Sequence, residues 1–192
     1  KGWEYKQRWN WTEPRYWNDE QFNHCTQPVV GVSWYEAEAY CNWLSATRAH
    51  GQIAVDECVR LPSEEQWLQA ARNGQPAPAD AKADFPWCSR FEPWRANTEE
   101  SEESKLGQTS PVHMYADGCT PAGVWDMLGN VWEWTATLDH VDKDGDPWYI
   151  TRGGSYFQSG ARGLAGLRSA VDLWLNWDLV WGFRAVVVPI LS

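Results

Sequence analysis

A chain of 192 residues, 43% hydrophobic and 22% charged, has the length and balance of one globular domain able to bury a core. Its formal charge of −10 argues against nucleic-acid binding, which requires clustered Lys and Arg, and no apolar run approaches the ~18 residues of a membrane span. Five cysteines without a CxxC spacing indicate neither a zinc site nor a full disulfide set.

Free, mostly buried thiols are expected instead, in a reducing compartment. A cytoplasmic location is therefore favoured, or display on a cell or virion surface if a leader or partner provides it. The abrupt start at Lys1-Gly2-Trp3 reads as a piece of a longer protein. Sixteen tryptophans are unusual. Each ring buries a large area, so most are expected in a Trp-stiffened core.

Residues 1–27 are aromatic and polar without a clear period, which predicts irregular structure wrapped on the domain. Pro28-Val29-Val30-Gly31-Val32 reads as a short strand or extended segment. Ser33-Trp34-Tyr35-Glu36 has the spacing of a capping box, in which the Ser hydroxyl takes an orphan N–H and the Glu reaches back. The helix it opens places Ala37, Tyr40, Cys41 and Leu44 on one inner face and ends near Ala49, with Gly51 as its stop. Ser63-Glu64-Glu65-Gln66 repeats the device, predicting a second helix with Trp67, Ala70 and Ala71 inward and Asn73-Gly74 at its end.

Residues 75–83 read as an exposed loop, and Glu99-Glu100-Ser101-Glu102-Glu103 as a solvated acidic run. From Phe85 onward helical period is absent. Short strands are predicted at 112–115, 131–135, 149–153 and 183–188, the last being the clearest, with a turn-rich loop at 142–147. The pattern is α+β, one domain over residues 1–192.

Six motifs stand in order: Pro28-Val29-Val30-Gly31-Val32-Ser33-Trp34, Arg60-Leu61-Pro62-Ser63-Glu64 with Gln66-Trp67, Phe85-Pro86-Trp87, Gly129-Asn130-Val131-Trp132-Glu133-Trp134, Arg152-Gly153-Gly154-Ser155 and Gly182-Phe183-Arg184. Together they resemble the formylglycine-generating-enzyme (sulfatase-modifying factor) family, over about residues 14 to 188. The resemblance implies a C-type-lectin-like fold of that type, with two helices plus short strands and many ordered loops.

It also implies calcium, held by the Asp126 and Glu133 carboxylates and the carbonyls of Gly129 and Val131, because calcium takes six to eight hard oxygens. A second calcium position begins at Asn97, with its acidic partner falling on Ser104 beside Glu103. The oxidase members bind copper through a cysteine pair between the last two motifs. Here that interval has no cysteine, and a hydroxyl cannot replace a thiolate for soft Cu(I). The sulfoxide-forming relatives use iron held by histidines of another domain, whereas His24, His50, His113 and His140 have no ligand spacing. Neither copper nor iron is expected, and the resemblance points to a binding module.

The candidate binding segment is 150–184. Leu173-Trp174-Leu175-Asn176-Trp177-Asp178-Leu179-Val180-Trp181 is dense in apolar residues, the composition of binding hot spots as well as of a buried strand. It is similar to the variable proteins of diversity-generating retroelements, which display a hypervariable segment between such flanks. The contact residues implied are Tyr156, Phe157, Ser159, Leu173, Leu175, Asn176, Leu179 and Val180, with Trp174, Trp177 and Trp181 between them. The partner is an unknown protein or surface ligand. Two alternatives stay open: a metal-dependent oxidase using other ligands, and a sensor domain of a larger signalling protein.

Overall fold

A computed structural model describes residues 12–48, 51, 53–80, 84–87, 90–101, 107–172 and 178–190. Helix α1 (Trp34–Thr47) starts at the reciprocal box foreseen in the sequence: Ser33 Oγ accepts the Glu36 N–H, and Glu36 Oε2 accepts the Ser33 N–H at 2.8 Å. It stops at Arg48, whose left-handed φ of 46° ends the helix ahead of Ala49. Ala37 and Cys41 are buried as expected, and burial pushes the Cys41 thiol up to about 11. Tyr40 is 46% exposed, so the inner face is narrower than the spacing implied.

Strand β1 (Glu57–Arg60) follows, then helix α2 (Glu64–Ala71) behind a second reciprocal box between Ser63 and Gln66. Asn73 and Gly74, both at positive φ, terminate it. Strands β2 (Trp132–Val141), β3 (Pro147–Arg152), β4 (Arg168–Asp172), β5 (Trp181–Phe183) and β6 (Val186–Pro189) come later, with a one-turn helix α3 (Gly163–Gly166) before β4. A four-stranded sheet has the order β4-β3-β2-β5, with β5 parallel to β2 and the other pairs antiparallel. β6 leaves it to pair antiparallel with β1.

Two strand expectations change, and a third resolves between its alternatives. Residues 112–115 form turns, because His113 takes a φ of 72° and interrupts any extended run. Residues 183–188 split into β5 and β6 at Arg184-Ala185, where the Arg184 side chain reaches Glu133. Residues 28–32, expected as a strand or an extended segment, form no ladder and bend at Gly31, whose φ is 70°; they are held by Trp134 Nε1–H on the Val32 carbonyl and by Arg15 N–H on the Gly31 carbonyl. β1 and β4 had no distinct sequence signal.

The core joins Trp34, Leu61, Trp67, Trp134, Leu164 and Leu167 between α1, α2 and the larger sheet. A smaller cluster of Phe22, Val30, Val131 and Tyr156 secures the N-terminal turns. Trp17, Trp43 and Trp94 are more than half exposed, so the Trp-rich core is only part of the account. The described cysteines Cys25, Cys41, Cys58 and Cys119 are free. Among the described residues no helix is long and apolar enough to cross a membrane.

Candidate functional site

The loop before β2 meets the loops at 97–101 and 153–160 in one buried polar junction. Gly129 has a φ of 78°, and a Cβ there would stand 2.1 Å from the Asn97 carbonyl oxygen, so the close approach requires glycine. The Asn130 N–H donates to that carbonyl at 2.8 Å. The Asn130 side chain mimics a strand partner for Ser110, accepting its N–H at 2.9 Å and donating to its carbonyl at 3.2 Å.

Glu133 lies beside this junction, 4% exposed. The Trp67 indole donates to its Oε2 at 2.6 Å, and Arg184 donates to both of its oxygens. A buried carboxylate is tolerated because its charge is matched and hydrogen-bonded. Arg184 also donates to the carbonyls of Trp125 and Asp126.

Asp126 has a φ of 54°, and its buried Oδ2 has no hydrogen-bond partner. Burial pushes its carboxyl up from the usual range, opposed by the His113 N–H and Arg184. It borders a cavity of about 450 Å³ shared with His113, Trp125, Glu133 and Arg184. An orphaned carboxylate oxygen beside a second carboxylate fits a hard divalent cation. Such an ion would share Glu133 with Arg184.

At the second expected metal position the Asn97 side chain is engaged by Ser101, Gln108 and Asn130, and Glu103 lies outside the described residues.

The binding segment begins on a fixed base. Gln158 Oε1 accepts from the Ser155 N–H, the Ser155 hydroxyl and the Trp132 indole. Ser155 and Gln158 have the three-residue separation of the two helix caps, and here it fixes a turn. Glu100 accepts from the Ser159 hydroxyl, the Gly160 N–H at 3.0 Å and the Thr98 hydroxyl at 2.8 Å. Burial works against the Glu100 charge, but the Ser159, Gly160 and Thr98 bonds outweigh it and lower its pKa. Glu100 is thus a half-buried clamp within a run expected to be solvated.

The expected contact residues separate by burial. Tyr156 is 1% exposed, its hydroxyl unpartnered and pushed up to about 12 by burial. Trp181 is interior too, stacked on Trp132 and Trp134 at 5.8 and 5.4 Å because β5 pairs with β2. Both are supports rather than contact residues in this conformation. Phe157 is 54% exposed and rests against the Tyr156 ring at 4.4 Å. Leu179 and Val180 are half-buried on the smaller cluster. Leu173, Trp174, Leu175, Asn176 and Trp177 lie outside the described residues. Sequence reasoning named Glu133 but missed its pairing with Trp67 and Arg184, and missed the roles of Gln158 and Glu100; the S-x-x-Q spacing was a usable signal for Gln158.

Helices α1 and α2, the one-turn α3, short strands and loops held by buried polar junctions define a mixed α+β fold of the C-type-lectin-like, formylglycine-generating type. Residues 2–187 match the model of the sulfatase-modifying factor enzyme 1-like domain, and the chain belongs to that family. It is 34% identical over 151 residues to the inactive C-alpha-formylglycine-generating enzyme 2 of Mus musculus, covering 75% of this chain and 42% of the relative. It is 32% identical over 153 residues to hercynine oxygenase of Mycobacterium tuberculosis, covering 71% of this chain and 30% of the relative. The chain therefore spans less than half the length of these relatives. Among solved structures, Treponema denticola variable protein 1 superposes with a TM-score of 0.67 at 19% identity, covering 96% of this chain and 80% of that one. CarF gives 0.66 at 25% identity, covering 88% and 69%.

Proposed function

We propose that this chain is a non-catalytic ligand-binding domain that presents side chains of residues 156–181 to a protein or other surface ligand. The observation that carries the reading is the base beneath Phe157. Tyr156 is buried, Gln158 is tied to Ser155 and Trp132, and Ser159 is clamped by Glu100, while the Phe157 ring projects to solvent. A base held this way lowers the ordering cost of binding and lets exposed positions vary without loss of fold. The fold likeness to a variable protein and the likeness to an inactive relative support it. The test is to sequence codons 150–184 and the adjacent downstream DNA across related isolates. A downstream near-copy differing at its adenines is the expected result; an invariant segment with no copy would remove the variable-protein part of the reading.

Calcium belongs to the same reading, as a brace. The Asp126 and Glu133 carboxylates would hold it with the Gly129 and Val131 carbonyls, and the ion would supply the positive charge that Asp126 Oδ2 lacks. An ion bound only by the folded state, present at 100 times its Kd, stabilises by ~2.7 kcal/mol. Melting in calcium and in EDTA measures this, and Asp126→Asn is expected to abolish the difference.

The second reading is a metal-dependent oxidase, favoured by the likeness to hercynine oxygenase. Among the described residues no group of three His, Cys, Asp or Glu is placed to hold a metal ion, and residues 153–184 hold no thiol. Oxygen consumption by the copper-loaded protein with a cysteine-containing peptide would decide for the oxidase.

A further inference from the structure

A cavity of about 770 Å³ opens between the turns at 12–17, the extended segment before α1, the first half of α1 and the chain after β5. That volume is in the ~300–1,000 Å³ range of small-molecule sites, and none of its described lining residues falls within 156–181.

Its walls are rings and aliphatic groups. Trp17, Tyr35, Tyr40 and Phe183 line it with Val29 and Val32. Trp17 is 51% exposed, and Tyr40, 46% exposed, meets Phe183 edge-on and Trp43 at a tilt, both at 5.7 Å.

The polar component has one sign. Glu13 and Glu36 are the charged residues among the described lining, which includes no Lys or Arg. Both carboxylates accept hydrogen bonds. Glu13 accepts from Asn18 Nδ2 at 2.6 Å, and Glu36 accepts both the N–H and the hydroxyl of Ser33 at 2.8 Å. Glu36 sits in the first turn of α1, where its charge offsets the positive helix end.

Tyr35, on the same wall, stands near further acidic groups that lie outside the described lining. Burial raises its pKa first, and Tyr149, Asp146, Glu38 and Asp172 raise it further. The nearby Arg15 guanidinium is directed elsewhere, 5.5 Å from the Tyr16 ring centroid.

Aromatic faces present negative potential to a cation, and carboxylates beside them select against neutral and anionic ligands. We infer that this cavity binds a small organic cation, an ammonium group on an aryl or alkyl body, with the charge between the rings and Glu13 and the body against Val29 and Val32. No described residue of 156–181 lines the site, and the inference does not depend on the proposed display function.

Calorimetric titration of the protein with phenethylammonium chloride, 2-phenylethanol and sodium phenylacetate tests it. The ammonium is expected to bind with 1:1 stoichiometry at least tenfold more tightly than the alcohol, with no measurable binding of the carboxylate. Trp17→Ala and Glu13→Gln should each weaken the ammonium at least fivefold while melting as the parent does, because both side chains are exposed. Trp94→Ala, also exposed but outside the cavity, should leave it unchanged. Equal binding of the alcohol and the ammonium, no binding of the ammonium, or equal affinity in Trp17→Ala and the parent would each overturn the inference.

Discussion

The junction around Asn130 and Glu133 and the open face of α1 use aromatic residues by opposite rules. In the junction Trp67 is 1% exposed and its indole N–H is committed to Glu133, whose charge is committed to Arg184. On the α1 face Trp17, Tyr40 and Trp43 are about half exposed, with Tyr40 against both Trp43 and Phe183. Enrichment in tryptophan therefore marks two different jobs. Where a ring's polar edge is buried and paired, it specifies the fold; where its face meets water, it is available to something else.

Substitutions should separate the two regions by size of effect. Glu133→Ala leaves Arg184 without its buried partner and should cost about 3–5 kcal/mol in urea unfolding; a loss under about 1 kcal/mol would remove the junction from the determinants of the fold. Gly129→Ala forces a Cβ toward the Asn97 carbonyl at positive φ and should cost about 3 kcal/mol by the same measurement. Ser33→Ala and Ser63→Ala each remove a reciprocal helix cap and should cost about 1 kcal/mol. Trp17→Ala, on the open face, should change stability by no more than about 0.5 kcal/mol.

An acid titration sharpens the comparison. Burial works against the Glu64 charge, but hydrogen bonds from Arg168 and Arg152 outweigh it and lower its pKa from the ordinary 4.5. Its contribution is therefore present above pH 4.5 and is lost as pH falls below that value toward the folded-state pKa. Urea unfolding of Glu64→Gln between pH 7 and 3 should show a smaller acid loss than the parent, and identical slopes would assign the loss to other carboxylates.

Local chemistry made much of the fold legible in the sequence. Both capping boxes lie within four residues each, so the starts of α1 and α2 needed no tertiary information. The ends of the second half are set from a distance. Residues 183–188 look continuous in sequence, yet they divide because Arg184 answers a carboxylate 51 positions away. Residues 112–115 have strand-like composition, but a single positive φ at His113 defeats it.

The same distinction applies at the candidate site. Ser155 and Gln158 are close enough in the chain for their spacing to be read, whereas Glu100 finds Ser159 and Gly160 only after folding. Alternation of buried Tyr156 with exposed Phe157 depends on the base beneath them, which composition alone does not reveal.

The strand order β4-β3-β2-β5 puts the two ends of the 173–180 connection on opposite margins of one sheet. With ~4.8 Å between neighbouring strands, those margins are separated by about 14 Å, while eight residues can extend to at least ~26 Å. The length of the connection therefore exceeds the gap it must bridge, and the sheet decides where it starts and ends. The two anchorages of the connection belong to β4 and β5, and on the β5 side Leu179 and Val180 extend the anchorage into the core cluster.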